Sequence, residues 1–437
     1  MSVIGGESLL DNTLQNAHTK RILQGIFMYR TRHIEQKLIA LSKAAKVVLI
    51  LGARQVGKST LLKNLFPEMP HITFDAYQDI YNVRADPDLF LKQYNGPVIF
   101  DEVQYAPELL SAIKRKVDNI DSPGQYFLAG SQGFGILKNL SETMAGRVAI
   151  LTLHPMSLHE MHGCGDSHWL SALLEDPANL PNVITNVIPD IMLWNLLWRG
   201  GLPGLMNIDD NLISTLLQSY VNTYLERDLR LLEAIKDIGE FRRFLGIAAA
   251  MTAQEVNESH IGRELGINRT TAKRWLDLLE ASFLWEMIPP YYGNSIKRIS
   301  KKHKGLLRDT GIGSFLLRLS SPESLGSYPQ FGAMFETFVL AQIRAASVAL
   351  PIQPNIYHWR SSGGAEVDII LEMDGYLYPI EVKAKTHITN RDTSGIMAFR
   401  AAYPNTRIRD GVIIYAGDRC HRVNEYVVAL PVAGLCK

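Results

Sequence analysis

The chain has 437 residues, with 45 Lys or Arg against 44 Asp or Glu and a formal charge of +1. At roughly 150 residues per domain this length suggests about three domains. The near-zero balance excludes a histone-like cation and an acidic solvating chain, so any nucleic-acid surface is a local patch. An apolar fraction of 46% with 20% charged residues excludes extended disorder. Cysteine occurs only at Cys164, Cys420 and Cys436, too few and too scattered for a disulfide framework or a four-ligand zinc site. The start lacks a hydrophobic core behind a basic end, and no apolar run approaches the roughly 18 residues that span a bilayer. A soluble cytoplasmic protein without a membrane partner is expected.

Residues 1–27 are polar and weakly patterned and read as an N-terminal extension. Ile34, Leu38, Ile39 and Leu41 then carry apolar groups at near-helical spacing. Val47-Val48-Leu49-Ile50-Leu51 is a continuous β-prone run, as a strand covered on both faces of a parallel sheet requires. Similar runs at Ile72 to Phe74, Val98 to Phe100 and Tyr126 to Leu128 are separated by stretches long enough for crossover helices. Residues 28–160 thus read as an α/β domain with a parallel sheet.

After Pro155 the rhythm becomes helical, at Leu170 to Leu174, Ile191 to Trp198 and Leu212 to Leu232, with a break at Trp198 to Leu205, WRGGLPGL. Residues 161–235 read as a helical connector or lid. Within 236–300, Ser259 to Leu276 reads as a short helix, a glycine turn and a second helix. Ala272, Trp275, Leu276 and Leu279 line one face of that second helix, while Arg269, Lys273 and Arg274 occupy the other. A winged helix follows if Phe283 to Tyr292 supplies strand and wing. Its basic face then suits DNA phosphates, and a role in packing or subunit contact is the alternative. Lys297 to Lys304 is the densest basic run. Residues 301–437, with strand-like runs at Val367 to Leu371, Leu377 to Val382 and Gly411 to Tyr415, read as a separate α/β or α+β domain.

Gly52-Ala53-Arg54-Gln55-Val56-Gly57-Lys58-Ser59 satisfies G-x-x-x-x-G-K-[ST] between an apolar strand and a helix-like stretch opening at Thr60. Successive amides and a helix N-terminus make a concave anion site, in which Gly52 and Gly57 permit the turn and Lys58 reaches the terminal phosphates. Ser59 is the expected magnesium ligand. The strand Val98 to Phe100 ends in Asp101, placed to organise magnesium, and Glu102, placed to polarise the attacking water. Ser131 ends a third strand where it can sense the γ-phosphate. Arg147 is a candidate to supply charge to the ATP of a neighbouring subunit, which implies a homo-oligomer; an ordinary surface arginine is the alternative.

GARQVGKSTLL, VIFDEVQ, FLAGS and LSETMAGRVAILTLHPMSLHE resemble the successive motifs of the AAA+-related bacterial and archaeal ATPases of the AAA-14 type. The resemblance covers roughly Met28 to Glu160 and continues through WRGGLPGL, VNTYLERDL and RDTGI into the C-terminal domain that usually accompanies it. It implies binding of ATP with Mg2+ and leaves the substrate open.

Near the C-terminus Val367-Asp368-Ile369-Ile370-Leu371, a turn at Asp374-Gly375, and Tyr378-Pro379-Ile380-Glu381-Val382-Lys383 put Asp and Glu-x-Lys on adjacent strands. Side chains alternate along a strand, so Glu381 and Lys383 share a face and Asp368 can meet Glu381 across about 5 Å. Two carboxylates can hold a divalent metal, and a neighbouring lysine can orient or deprotonate water for attack on a phosphodiester. Glu336 adds a third carboxylate from a preceding helix. Glu336, Asp368, Glu381 and Lys383 resemble the motif of the PD-(D/E)xK nuclease fold; a structural ion pair or a nuclease-like fold without turnover is the alternative. The function these patterns favour is an ATPase coupled to a metal-dependent, nuclease-like domain acting on DNA or RNA. An ATP-controlled interaction switch with an inactive nuclease-like domain is the competing expectation.

Overall fold

The computed structural model describes residues 29–74, 80–94, 96–131, 146–163, 168–185, 187, 193–224, 235, 237–293, 298 and 301–436. The expected N-terminal extension, Lys297, Ala145, Cys164 and the Leu212 to Leu232 helix beyond residue 224 lie outside these residues, at least in part. Among the described residues no helix is long and apolar enough to cross a membrane.

The first sheet is built from β1 (Val47–Leu51), β2 (His71–Thr73), β3 (Val98–Asp101), β4 (Tyr126–Gly130) and β5 (Val148–Thr152), in the order β2-β3-β4-β1-β5. All of its pairings are parallel. Every residue of β1, β3 and β4 is buried, which explains why these strands read as unbroken apolar runs. Leu51 lies between Gly130 and Thr152, so the turn that follows β1 opens at the carboxyl edge of the sheet, beside the ends of β3 and β4. β5 is not among the strands expected from the sequence. It is one of the two edge strands, and Ile150 at its centre is 45% exposed.

The middle of the chain is helical as expected, with Trp169–Glu175, Leu193–Arg199 and Asp210–Thr223 among its helices. The WRGG break is a packing requirement. Gly200 has φ +78°, and a Cβ there would lie 2.4 Å from Asp309 Oδ1; its neighbour Gly201 donates its amide to Asp309 Oδ2 at 2.7 Å. Asp309 belongs to the RDTGI motif and caps the helix Thr310–Leu316, so two motifs far apart in sequence form one joint.

Helices Glu258–Leu265 and Arg269–Ala281 meet at Gly266, which takes φ +73°. A three-stranded antiparallel sheet accompanies them, with β6 (Gln254–Glu255) and β7 (Trp285–Ile288) flanking β8 (Lys304–Leu307). β8 belongs to this middle sheet although it lies beyond the 300/301 limit read from sequence.

The last unit has six strands, β9 (Asn355–Arg360), β10 (Glu366–Met373), β11 (Tyr376–Lys383), β12 (Gly411–Tyr415), β13 (His421–Asn424) and β14 (Val427–Pro431), in the order β13-β14-β12-β11-β10-β9. β10 and β11 form the expected hairpin, closed by Asp374 and Gly375 at φ 52° and 76°. β11, β12 and β14 run parallel, and the buried helix Phe331–Ser347 precedes the sheet. The middle and last units are joined through backbone: Tyr291 donates to His358 O at 2.6 Å, and His358 donates to Pro289 O at 3.1 Å.

Candidate functional site

The loop after β1 is shaped by its glycines. Gly52 has φ +156°, and a Cβ there would lie 2.3 Å from Leu153 O; Gly57 has φ +98° and caps the helix Lys58–Leu65. Left-handed or mirror-β backbone is open to glycine without a Cβ penalty, which accounts for both motif positions. Lys58 is buried, and its Nζ donates to Gly52 O at 2.9 Å and Ala53 O at 2.8 Å. The ammonium is therefore held by the loop's own carbonyls. Ala53 and Val56 are buried, Gln55 and Thr60 are exposed, and Arg54 donates to Tyr105 Oη at 3.1 Å.

Asp101 is buried at the end of β3, with its Oδ2 3.3 Å from His71 Nε2. Burial raises its pKa, but hydrogen bonds from His71 and Ser59 and the charges of His71 and Lys58 outweigh that and hold the carboxyl below its ordinary value. Asp101 is thus a carboxylate in hydrogen-bond contact with Ser59, the pair expected to share magnesium. Glu102 follows in the left-handed region at φ 57°, a conformation that costs a non-glycine residue. Its Oε2 accepts from Gln104 Nε2 and from Ser131 Oγ at 3.2 Å, while Gln104 Nε2 also donates to Ser131 at 3.0 Å. Glu102, Ser131 and Gln104 form a closed triangle. Gln104 lies within the quoted VIFDEVQ stretch, but sequence reasoning gave it no role.

Arg32, also without a sequence signal, is 5% exposed. It donates to Val56 O of the phosphate loop at 2.8 Å and to His154 O at 2.7 Å, and its Nε lies 3.1 Å from Glu160 Oε1. Pro203, from the WRGGLPGL segment, approaches Gly57 from the same side. Arg147 stands just before β5, whose first residue pairs with the first residue of β1. It therefore lies at the edge of the sheet opposite the loop, ion-paired with Asp118, and is not brought to this chain's own phosphate site.

At the C-terminal set, the register Ile369↔Ile380 places Asp368 opposite Glu381. Asp368 Oδ2 accepts the amide of Val382 at 2.9 Å, and Lys383 Nζ donates to Glu381 Oε1 at 2.5 Å. Glu381 Oε2 is buried without a hydrogen-bond partner. Glu336 reaches the same place from its helix, but its partner is a residue no motif pointed to: Lys304 of β8, whose Nζ lies 2.7 Å from Glu336 Oε1 and 3.7 Å from Asp368 Oδ1. Burial pushes Glu336 up to about 8 against the opposing charge of Lys304, and burial with the charge of Asp368 pushes Glu381 up to about 8. Burial would lower Lys304, but the charges of Glu336 and Asp368 overcome it and hold the ammonium protonated. Among the described residues no group of three or more His, Cys, Asp or Glu stands where it could hold a metal ion.

The expected basic face of the helix Arg269–Ala281 meets carboxylates of its own helix and of the preceding one. Arg269 Nε lies 2.8 Å from Glu258 of the preceding helix and Lys273 Nζ lies 2.9 Å from Asp277, and Arg269, Lys273 and Arg274 are all exposed. In the basic run, Arg298 turns inward to Glu372 at 3.1 Å and stacks over Tyr291 and Tyr357.

The chain matches an AAA domain family over residues 44–162 and two families described as domains of unknown function, over residues 191–323 and 331–435. It is 29% identical over 390 residues to uncharacterized proteins of Mycobacterium tuberculosis and Mycobacterium bovis, an alignment covering 89% of this chain and 80% of each relative. Among solved structures it is similar to the Walker-type ATPase PABY2304 of Pyrococcus abyssi, at 17% identity and a TM-score of 0.41, over 66% of this chain and 98% of that one. It is also similar to the RuvB Holliday junction branch migration motor of Thermotoga maritima, at 16% identity and a TM-score of 0.29, over 59% and 89%. With its phosphate loop, its acidic β3 terminus and its parallel sheet, the segment matched over residues 44–162 is an AAA-type P-loop ATPase domain.

Proposed function

We propose that this protein binds and hydrolyses ATP with Mg2+ and relays its nucleotide state to a nuclease-like C-terminal unit that works on nucleic acid. Bound Mg2+ would neutralise charge on the β- and γ-phosphates. Ser59 and Asp101 would hold it, Lys58 and the loop amides would bind the phosphates, and Glu102 would orient the attacking water. Ser131 and Gln104 hold Glu102 in place until that water arrives.

One observation carries the relay. From Val56 O of the phosphate loop, Arg32 reaches Glu160, whose carboxylate also accepts the amides of His33 at 2.8 Å and Ser157 at 2.9 Å. Ser157 and Glu160 form the capping box of the helix Leu158–His162. Its first residue, Leu158, donates its amide to Gln342 Oε1 at 2.6 Å, and Gln342 stands on the same helix as Glu336. A shift of the loop on binding phosphate would then pass through one buried ion pair and a chain of hydrogen bonds to the helix that carries a C-terminal carboxylate. The helix pair around Gly266 with its three-stranded sheet supports a winged helix, in which DNA phosphates compete with Glu258 and Asp277 for Arg269 and Lys273. Arg147, on the far edge of the sheet, can meet only the ATP of a second chain, so its role requires a homo-oligomer.

A second reading, in which the C-terminal unit docks a partner and does not cut, is favoured by the position of Lys304 between Glu336 and Asp368. The test is phosphate release with and without DNA or RNA, for the parent and for Glu102→Gln. ATP should bind to both, turnover should stop in the variant, and nucleic acid should stimulate the parent. Undiminished turnover in Glu102→Gln removes that residue from its role, and indifference to DNA and RNA removes nucleic acid from the cycle.

A further inference from the structure

The carboxylates of the C-terminal unit do not fit a divalent ion as the chain is folded, because an ammonium stands among them. Lys304 comes from the middle unit and is 8% exposed. Its backbone is fixed on both sides, since it pairs with Glu255 of β6 and with Ile288 of β7 as part of the central strand of its sheet. The side chain then crosses into the last unit and contacts carboxylates from two of its elements, Glu336 of the helix Phe331–Ser347 and Asp368 of β10. A cavity of about 430 Å³ opens beside them, walled by Gln254, Glu255, His358, Arg360 and Glu366, so there is room for a hydrated ion and its water.

We propose that Lys304 is the resident cation of this carboxylate cluster. Its ammonium takes the place a divalent ion would take, and the contact locks the middle sheet to the C-terminal unit. An ammonium and a divalent cation that share Glu336 and Asp368 would lie within about 4 Å of each other beside buried side chains, where like charges repel more strongly than in bulk water. Glu381 is not among the walls of that cavity and borders the cluster through Asp368. It faces Asp368 across the hairpin, is 4% exposed, and keeps Oε2 without a hydrogen-bond partner. Removing the ammonium leaves Glu336 and Asp368 lining open space without a cation, a pair of oxygen donors of the kind a hard divalent cation takes. The inference rests on the nuclease-like reading of the last unit and specifies what fills its site.

The experiment titrates Mn2+ into the full chain without nucleotide, by calorimetry and by electron paramagnetic resonance of free ion. It compares the parent and its Asp368→Asn control with Lys304→Ala, Lys304→Met and Lys304→Ala/Asp368→Asn. The methionine variant keeps the aliphatic stem and its packing if the alanine variant folds poorly. The parent should show no Mn2+ binding that depends on Asp368. Both single variants should bind at least about tenfold more tightly than the parent, and their melting temperatures should rise with Mn2+; the double variant should lose both effects. Mn2+ binding by the parent that Asp368→Asn abolishes overturns the proposal and leaves a metal-dependent nuclease standing. Failure of both folded single variants to bind overturns the proposal and the nuclease-like reading together.

Discussion

Replacing Arg32 tests the buried connection between the phosphate loop and the rest of the molecule. Its guanidinium has three partners, Val56 O at 2.8 Å, His154 O at 2.7 Å and Glu160 Oε1 at 3.1 Å, and the side chains of Arg32 and Glu160 are 5% and 3% exposed. In Arg32→Ala the Glu160 carboxylate keeps the amides of His33 and Ser157 but loses its opposite charge, and two carbonyls lose a donor. Breaking a buried pair from one side costs about 3–5 kcal/mol, a large fraction of a domain's stability. Arg32→Lys keeps the charge but cannot span both carbonyls, so it should recover only part of the loss. Adding Glu160→Gln to Arg32→Ala removes the stranded charge, and the cycle should return a coupling of about 1–3 kcal/mol. The assays are urea unfolding of the four proteins and ATP calorimetry, in which Arg32→Ala should bind ATP more weakly because Val56 O is untethered. A loss below about 1 kcal/mol in Arg32→Ala, or strict additivity of the two changes, refutes the reasoning.

Gly200→Ala should destabilise by about 2–4 kcal/mol, because it forces a Cβ onto Asp309 at positive φ; Gly204→Ala, where a Cβ meets nothing within 4 Å, should cost less than about 1 kcal/mol. Equal melting temperatures for the two variants would dissolve the joint between WRGG and RDTGI. Stability should also depend on pH through Glu336 and Glu381, whose folded values of about 8 exceed the ordinary 4.5. A raised folded pKa means the folded state binds more protons, so stability present below about 4.5 is lost as pH rises through 8, with a slope of at most about 1.4 kcal/mol per unit for each group. Glu381→Gln should flatten that fall between about pH 5 and 8 in urea midpoints, and a parallel curve would place its titration elsewhere.

The parallel α/β sheet, the phosphate loop and the β10–β11 hairpin were legible because each is written locally. An unbroken apolar run marks a strand buried on both faces, two glycines and Lys-Ser mark an anion-binding turn, and Asp-Gly marks a two-residue hairpin. Spacing alone also set Asp368 against Glu381, since alternation along paired strands leaves little choice of face. The edge strand β5 also carries an apolar run, Val148 to Leu151, so its signal was present in the sequence although only Leu151 of the strand is buried. Arg32, Gln104 and Lys304 were hidden for a physical reason: each acts on a partner brought to it only by the fold, and a single Arg, Gln or Lys has no periodicity to read. Gln104 needed the left-handed turn at Glu102 to face Ser131. Lys304 ends the densest basic run of the sequence, and its pairing between β6 and β7 turns it inward to Glu336. The sequence by itself determined the glycine-bounded turn between the first strand and its helix and which carboxylates share a sheet face. The tertiary structure decided what neutralises those carboxylates, because charge compensation in a buried site depends on distances between elements that are remote along the chain.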